Sequence, residues 1–228
     1  MKIPIGQTIA IGRPYVDLAS EIIAVILRVV IEGWAIARQN PKVHPEAMEV
    51  PMTECLREGM RQALVSLSSW NKTLIIAPGA ESKSDPEMPI PDGRTDIPIY
   101  SWDIFSQTCE HDPHVIIECK RITESDSHLT REYIVEGMDR FRTGKYGGNH
   151  GKGFMVGYVL SGKSLPIVAS INLFLDKHGR RSEHLKSSTN PGCEGTWTSR
   201  HPRAGAMKAI DLLHIMLDVG CSSSSRAG

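Results

Sequence analysis

The chain has 228 residues, enough for one well-buried core and too few for two generous domains. Hydrophobic residues at 40% and charged residues at 23% exclude a disordered or fibrous class. Lysine plus arginine (26) equals aspartate plus glutamate (26), so no global positive field advertises a polyanionic partner and any nucleic-acid surface must be local.

The cysteines Cys55, Cys109, Cys119, Cys193 and Cys221 show no framework spacing and no signal-peptide pattern opens the chain, so a reducing cytoplasm is the expected compartment. We read one domain over residues 1–218 and a frayed, serine-rich tail over 219–228. Pro14 suits a first helical turn, apolar residues recur at helical spacing from Val16 to Gln39, and Asn40-Pro41 stops the pattern. Arg28 and Glu32 interrupt its apolar stretch, which predicts a core helix rather than a membrane span. Thr53 is the expected cap of a second helix, with Leu56, Met60, Ala63 and Leu64 on one face and Glu54 near its start.

Thr73 to Ala77 predicts a short strand, followed by a loop with Pro78, Pro86, Pro89 and Pro91 that ends in the turn pair Asp92-Gly93. Thr95 to Ile104 and His114 to Ile122, rich in isoleucine, valine and tyrosine, predict the second and third strands. Helical spacing returns from Leu129 to Phe141, a glycine-rich exit spans Gly144 to Gly153, and Phe154 to Leu160 predicts a fourth strand. Leu165 to Lys177 reads as a helix, His178 to Glu194 as loop, and Thr196 to Arg200 and Ile210 to Leu217 as late strands. The order helix, strand, strand, strand, helix, strand, with additions at both ends, predicts an α/β fold: a mixed central sheet flanked by helices.

In Val115 to Arg121 side chains alternate between faces, so Glu118 and Lys120 point one way while Ile117 and Cys119 point into packing. A carboxylate in a strand that is otherwise apolar is tolerated when it is paired or bound to a metal. Asp96 is the lone carboxylate among apolar residues of the preceding strand, and antiparallel pairing would bring it to Glu118 across the ladder. Two carboxylates that close repel unless a divalent cation neutralises them, and hard oxygen ligands favour magnesium or manganese. Such an ion can polarise a phosphodiester and lower the pKa of a water, while a lysine ammonium stabilises developing charge.

Asp96 followed by Glu118-Cys119-Lys120 resembles the PD-(D/E)XK nuclease superfamily, which includes many restriction endonucleases. The resemblance covers about Thr53 to Leu160, and Thr95 stands where the family name has proline. It implies a restriction-endonuclease-like core, hydrolysis of DNA phosphodiesters with Mg2+ (or Mn2+), and a place in restriction, other defence against foreign DNA, or DNA repair. It further implies Asp96, Glu118 and the main-chain carbonyl of Cys119 as metal ligands and Lys120 as the catalytic lysine. Glu54 matches the helical glutamate that many members place near the metal. DNA as partner and a homodimer, or a subunit of a complex with a recognition or motor protein, are expected on the same ground.

Other readings compete. A catalytically inactive module that keeps the fold for binding or assembly fits the balanced charge. Glu118 and Lys120 alone would read as an edge-strand ion pair, and Glu54 as a glutamate favoured by a helix dipole. Cys109, His111, His114 and Cys119 carry zinc-type donors at poor spacing, without a CxxC pair. Gly144 to Gly153 fails as a phosphate loop because Tyr146 stands where glycine is needed and the loop leaves a helix to enter a strand. Arg140, Arg142, Lys145 and Lys152, with Tyr146 among them, and Arg200 and Arg203 beside Trp197, are the expected phosphate-backbone contacts. His214, on an apolar stretch, is expected to be a satisfied core histidine.

Overall fold

A computed structural model describes residues 14–82, 90–91, 93–188 and 195–220. Most of the proline-rich loop, with its Asp92 turn, and the expected tail from residue 221 on lie outside these residues; Val219, expected in that tail, is buried in the core and its N–H bonds the Val159 carbonyl at 3.0 Å. The elements in chain order are α1 (Ser20–Ala37), α2 (Glu49–Val65), β1 (Leu74–Ile76), β2 (Glu81–Ser82), β3 (Gly93–Arg94), β4 (Ile97–Ser101) and α3 (Trp102–Thr108). They continue with β5 (Val115–Thr123), α4 (Ser127–Tyr133), a π-helical turn (Ile134–Met138), α5 (Asp139–Arg142) and β6 (Lys152–Ser161). The last are α6 (Ser164–Lys177), β7 (Lys186–Ser187), β8 (Thr196–His201) and β9 (Ile210–Asp218).

Seven strands form a mixed sheet in the order β1-β4-β5-β6-β9-β8-β7, while β2 and β3 pair separately. β5, β6 and β9 run parallel, and the flanking pairs are antiparallel. The central strands are covered on both faces, which is why β5 and β6 are apolar almost throughout. On one face, Ile117, Cys119, Val156 and Tyr158 pack with Leu27, Val30, Leu56 and Met60 of α1 and α2. On the other, Ile116, Ile122 and Met155 pack with Tyr133, Met138, Phe141 and Ile171 of the later helices. The α/β architecture with a mixed sheet between helices is the one expected. No described helix is long and apolar enough to cross a membrane.

Several boundaries differ from expectation. α1 begins at Ser20 rather than near Pro14, because Val16 is drawn into a bridge with His150: its N–H bonds the Asn149 carbonyl at 2.9 Å and its carbonyl accepts from Gly151 at 2.8 Å. α2 begins at Glu49, four residues before the expected cap. Thr53 instead lies inside the helix, its hydroxyl donating to the Glu49 carbonyl at 3.0 Å. The second strand ends at Ser101, whose hydroxyl accepts from the Ile104 N–H at 3.4 Å and starts α3. α1 and α2 approach closely because Gly33 faces α2; a Cβ there would lie 2.6 Å from the Met60 nitrogen.

The second core contains a buried polar chain. Tyr133 bonds His214 Nδ1 at 2.9 Å, His214 Nε2 bonds Ser199 Oγ at 2.7 Å, Ser199 Oγ bonds His201 Nε2 at 2.6 Å, and His201 Nδ1 bonds Glu183 at 2.5 Å. The carboxylate at one end fixes one proton order that satisfies every member, each hydroxyl or N–H donating toward Glu183. Arg180 closes the chain on Glu183 at 2.7 Å. His201 and Arg180 hold the Glu183 carboxyl at about 2 against the opposing effect of its burial, and burial keeps His214 well below the usual histidine value. His214 is thus the satisfied core histidine expected from its apolar surroundings.

Candidate active site

The site forms where β4 begins alongside β5. Ile97 pairs with Ile117 in antiparallel register, which carries Asp96, one residue before, to the level of Glu118. There the Asp96 Oδ2 accepts the Cys119 N–H at 2.8 Å, extending the ladder with a side chain. Glu118 and Lys120 share the face of β5 that carries Ile116 and Ile122, opposite Cys119. Lys120 Nζ lies 2.9 Å from Glu118 Oε1, so the acidic residues and the lysine picked out by the sequence do converge.

Glu118 is fully buried at 0% exposure. Its Oε1 accepts from Lys120 and, at 3.0 Å, from Arg140 Nη1, while Oε2 is buried with no hydrogen-bond partner among the described residues. Burial first, and then the charge of Asp96, push its carboxyl up to about 8 against the opposing pull of Lys120 and Arg140. Burial likewise raises Asp96, opposed by Lys120 and by the Cys119 N–H. Burial disfavours the Lys120 ammonium, yet Glu118, Glu49 and Asp96 together raise its pKa above the usual lysine value.

The helical glutamate of this site is Glu49, not Glu54. Glu49 Oε1 accepts from Lys120 Nζ at 2.8 Å and its Oε2 from the Arg121 N–H at 3.2 Å. Glu54 is an ion-pair partner of Arg57 with half of its side chain (52%) exposed. One and a half turns separate the two residues on α2, which puts them on different faces. The signal was present as Glu49-Val50-Pro51: a proline in a first turn, preceded by an acidic residue, marks a helix start as well as Thr53 does.

Arg140 and Tyr146, first read as part of a basic exit loop, also belong to the site. Tyr146 is fully buried; its hydroxyl accepts from Arg140 Nη1 at 2.6 Å and donates to the Arg94 carbonyl at 2.5 Å. The expected phosphate contacts are otherwise dispersed. Arg142 pairs with Asp139 at 2.9 Å, Lys152 and Arg200 both pair with Asp211 at 2.8 and 2.9 Å, and Arg203 bonds the carbonyls of Gly147, His150 and Lys208. Lys145 lines a cleft of about 1020 Å³ together with Thr95, Ile116, Tyr15 and Lys208. Thr95 precedes Asp96 and Ile116 lies two residues before Glu118 on the same face of β5, but Glu49, Asp96, Glu118, Lys120 and Arg140 do not themselves line this cleft.

The zinc-type donors do not converge. His114 is buried, with Nδ1 accepting from the Ser101 N–H at 2.8 Å and Nε2 meeting the Glu110 carbonyl at 3.1 Å. Cys119 sits in the core and Cys109 at the surface. Among the described residues no group of three or more histidine, cysteine, aspartate or glutamate side chains forms a ready metal cage. The oxygens around Lys120 Nζ nonetheless suit a hard cation: Glu49 Oε1, Glu118 Oε1 and, at 2.9 Å, the Cys119 carbonyl already surround an ammonium. Together with Asp96 and the unpartnered Glu118 Oε2, they are donors of the type magnesium and manganese take. Comparison of the chain with protein-family models, curated proteins and solved structures finds no match.

Proposed function

We propose that this chain is a divalent-metal-dependent nuclease with a restriction-endonuclease-like core, which hydrolyses DNA phosphodiesters. The observation that carries the reading is the convergence of Asp96, Glu118 and Lys120 at one buried point, with a carboxylate oxygen of Glu118 left without a partner among the described residues. A buried carboxylate raised to about 8 by burial and by a second carboxylate is costly to keep ionised, and such strain is characteristic of sites built for a ligand or a reaction.

In this reading Asp96, Glu118 and the Cys119 carbonyl hold a magnesium ion, and Glu49 completes the acidic set in the place first given to Glu54. The ion, when bound, supplies Lewis acidity toward the phosphodiester and toward a water. Lys120 orients that water and stabilises the charge that gathers on the phosphate as the water oxygen bonds to phosphorus and the opposite P–O bond breaks. The attacking water gives up one proton and the leaving oxygen takes one up. Restriction, other defence against foreign DNA, and DNA repair are the roles such an activity serves, in a cytoplasmic homodimer or with a recognition or motor partner.

Calorimetric titration with Mn2+ tests the reading. Wild-type protein is expected to bind the ion and Glu118→Gln to lose that binding, at equal thermal stability. Absence of binding by folded wild-type protein contradicts it. One observation favours the second reading, a catalytically inactive binding or assembly module: Lys120 and Arg140 already neutralise Glu118, and Arg142, Lys152, Arg200 and Arg203 are engaged within the fold. That reading predicts neither metal binding nor an effect of Asp96→Ala on whatever the protein binds.

A further inference from the structure

Glu118 Oε1 is shared by two cations, and the second one has no part in the sequence motif. Arg140 stands on α5, directly after the π-helical turn Ile134–Met138. A π turn inserts a residue into the helical repeat and shifts the phase of everything after it; such turns recur where a side chain must be aimed. Here the turn brings its backbone down on the site, because Gly137 lies over Lys120: a Cβ on Gly137 would be 3.4 Å from Lys120 Cγ and 2.6 Å from Met155 Cε.

Arg140 does not depend on Glu118 for its position. Its Nη1 is also fixed by the Tyr146 hydroxyl, which is itself pinned to the Arg94 carbonyl, and its guanidinium lies 5.3 Å from the Tyr146 ring centre. The side chain is 27% exposed, and its Nη2 and Nε make no hydrogen bond among the described residues. Among the described residues nothing holds the outward edge of the guanidinium fork, and that edge has the geometry to grip two oxygens of one phosphate.

The charges agree once Glu118 has given up its proton: Glu49, Asp96 and Glu118 then set three carboxylates against the two cations Lys120 and Arg140. A divalent cation turns this single negative excess into a single positive one, which the one negative charge of a phosphodiester balances. We infer that Arg140, held by Tyr146, is the residue that grips the phosphodiester of the substrate, releasing Glu118 as that carboxylate turns to the metal. The inference rests on the nuclease reading and adds to it a substrate-binding residue, with Tyr146 as its positioning residue.

The test compares wild type, Arg140→Met and Arg140→Lys by two binding measurements beside cleavage. One is Mn2+ calorimetry without DNA; the other is fluorescence anisotropy of a labelled duplex oligonucleotide with Ca2+ replacing the cleaving ion. Arg140→Met is expected to bind Mn2+ at least as tightly as wild type but to weaken oligonucleotide binding and kcat/KM by about 10- to 100-fold, the loss expected for a charged hydrogen bond. Arg140→Lys, which keeps the charge without the fork, is expected to fall between, and it carries the comparison if the methionine variant does not fold. Oligonucleotide binding unchanged in the variants, with a wild type that binds Mn2+ and cleaves, overturns the role of Arg140 alone. Loss of Mn2+ binding in folded Arg140→Met or Arg140→Lys also overturns it, since Arg140 would then only support Glu118. A wild type that neither binds Mn2+ nor cleaves overturns both this inference and the nuclease reading.

Discussion

Glu49, the first residue of α2, accepts a 2.8 Å hydrogen bond from Lys120, 71 residues away in sequence. The contact joins the start of a helix to the interior strand β5 at the point where the acidic residues meet. Glu49→Gln keeps the shape of the side chain but removes its charge beside Lys120. It is expected to lower kcat/KM of metal-dependent cleavage by roughly 10- to 100-fold, in the range of a lost charged contact at a reacting centre. Glu54→Gln, on the exposed partner of Arg57, is expected to stay within about twofold of wild type, as surface ion pairs contribute little. Steady-state cleavage rates at matched folding compare the two; equal losses would mean that Glu49 has no special place.

Gly137 sets how near the helix lies to Lys120. Gly137→Ala forces a methyl group against Met155 and Lys120 and is expected to cost about 1 to 3 kcal/mol of stability, the usual penalty of overpacking. Because the displaced neighbours include Lys120, cleavage should fall further than the unfolded fraction explains. Urea unfolding measured beside cleavage separates the two effects.

The polar chain through the second core gives the protein a sign-defined response to acid. Glu183 is held at about 2 in the folded chain against an ordinary 4.5, so its contribution is fully present above pH 4.5 and is lost as the pH falls toward 2. A shift of that size amounts to about 3 kcal/mol at most. Thermal melts should show Glu183→Gln well below wild type at pH 7 and approaching it near pH 2 to 3. A difference that stays constant over this range would contradict the assignment.

Ser199, His201 and Glu183 are spaced as a nucleophile, base and orienting acid would be, but Ser199 is buried and its oxygen also meets His214. Ser199→Ala leaves two imidazole nitrogens without their partner and is expected to cost about 1 to 3 kcal/mol of stability. Wild-type protein should resist labelling by a fluorophosphonate probe, and the variant should cleave DNA at the wild-type rate when folded.

What the sequence made legible follows from how each feature is built. The longer strands and the pairing of Asp96 with the Glu118-to-Lys120 segment were readable because runs of isoleucine, valine and tyrosine and a carboxylate standing among them are local signals, whereas the two-residue strands β2, β3 and β7 are too short to carry one. The start of α2 was not, because Met48 makes no side-chain cap while Thr53, a residue type favoured at caps, stands inside the helix. The π turn was hidden as well, since Ile134, Met138 and Phe141 fit an α-helical stripe closely enough to conceal one inserted residue. That insertion decides where Arg140 points. Arg203 and Lys152 show a further limit: a basic residue in a loop reads the same whether it meets phosphate or a carbonyl and an aspartate of its own chain.

The most direct test is incubation of the purified protein with plasmid, linear and single-stranded DNA in Mg2+, Mn2+ or EDTA, beside Asp96→Ala and Lys120→Ala of equal thermal stability. Wild type is expected to cleave with Mg2+ or Mn2+ and not with EDTA, with both variants reduced by orders of magnitude. Substrates left intact by folded wild type under every condition, or cleaved equally by wild type and variants, would contradict the assignment of Asp96, Glu118 and Lys120 as a nuclease centre.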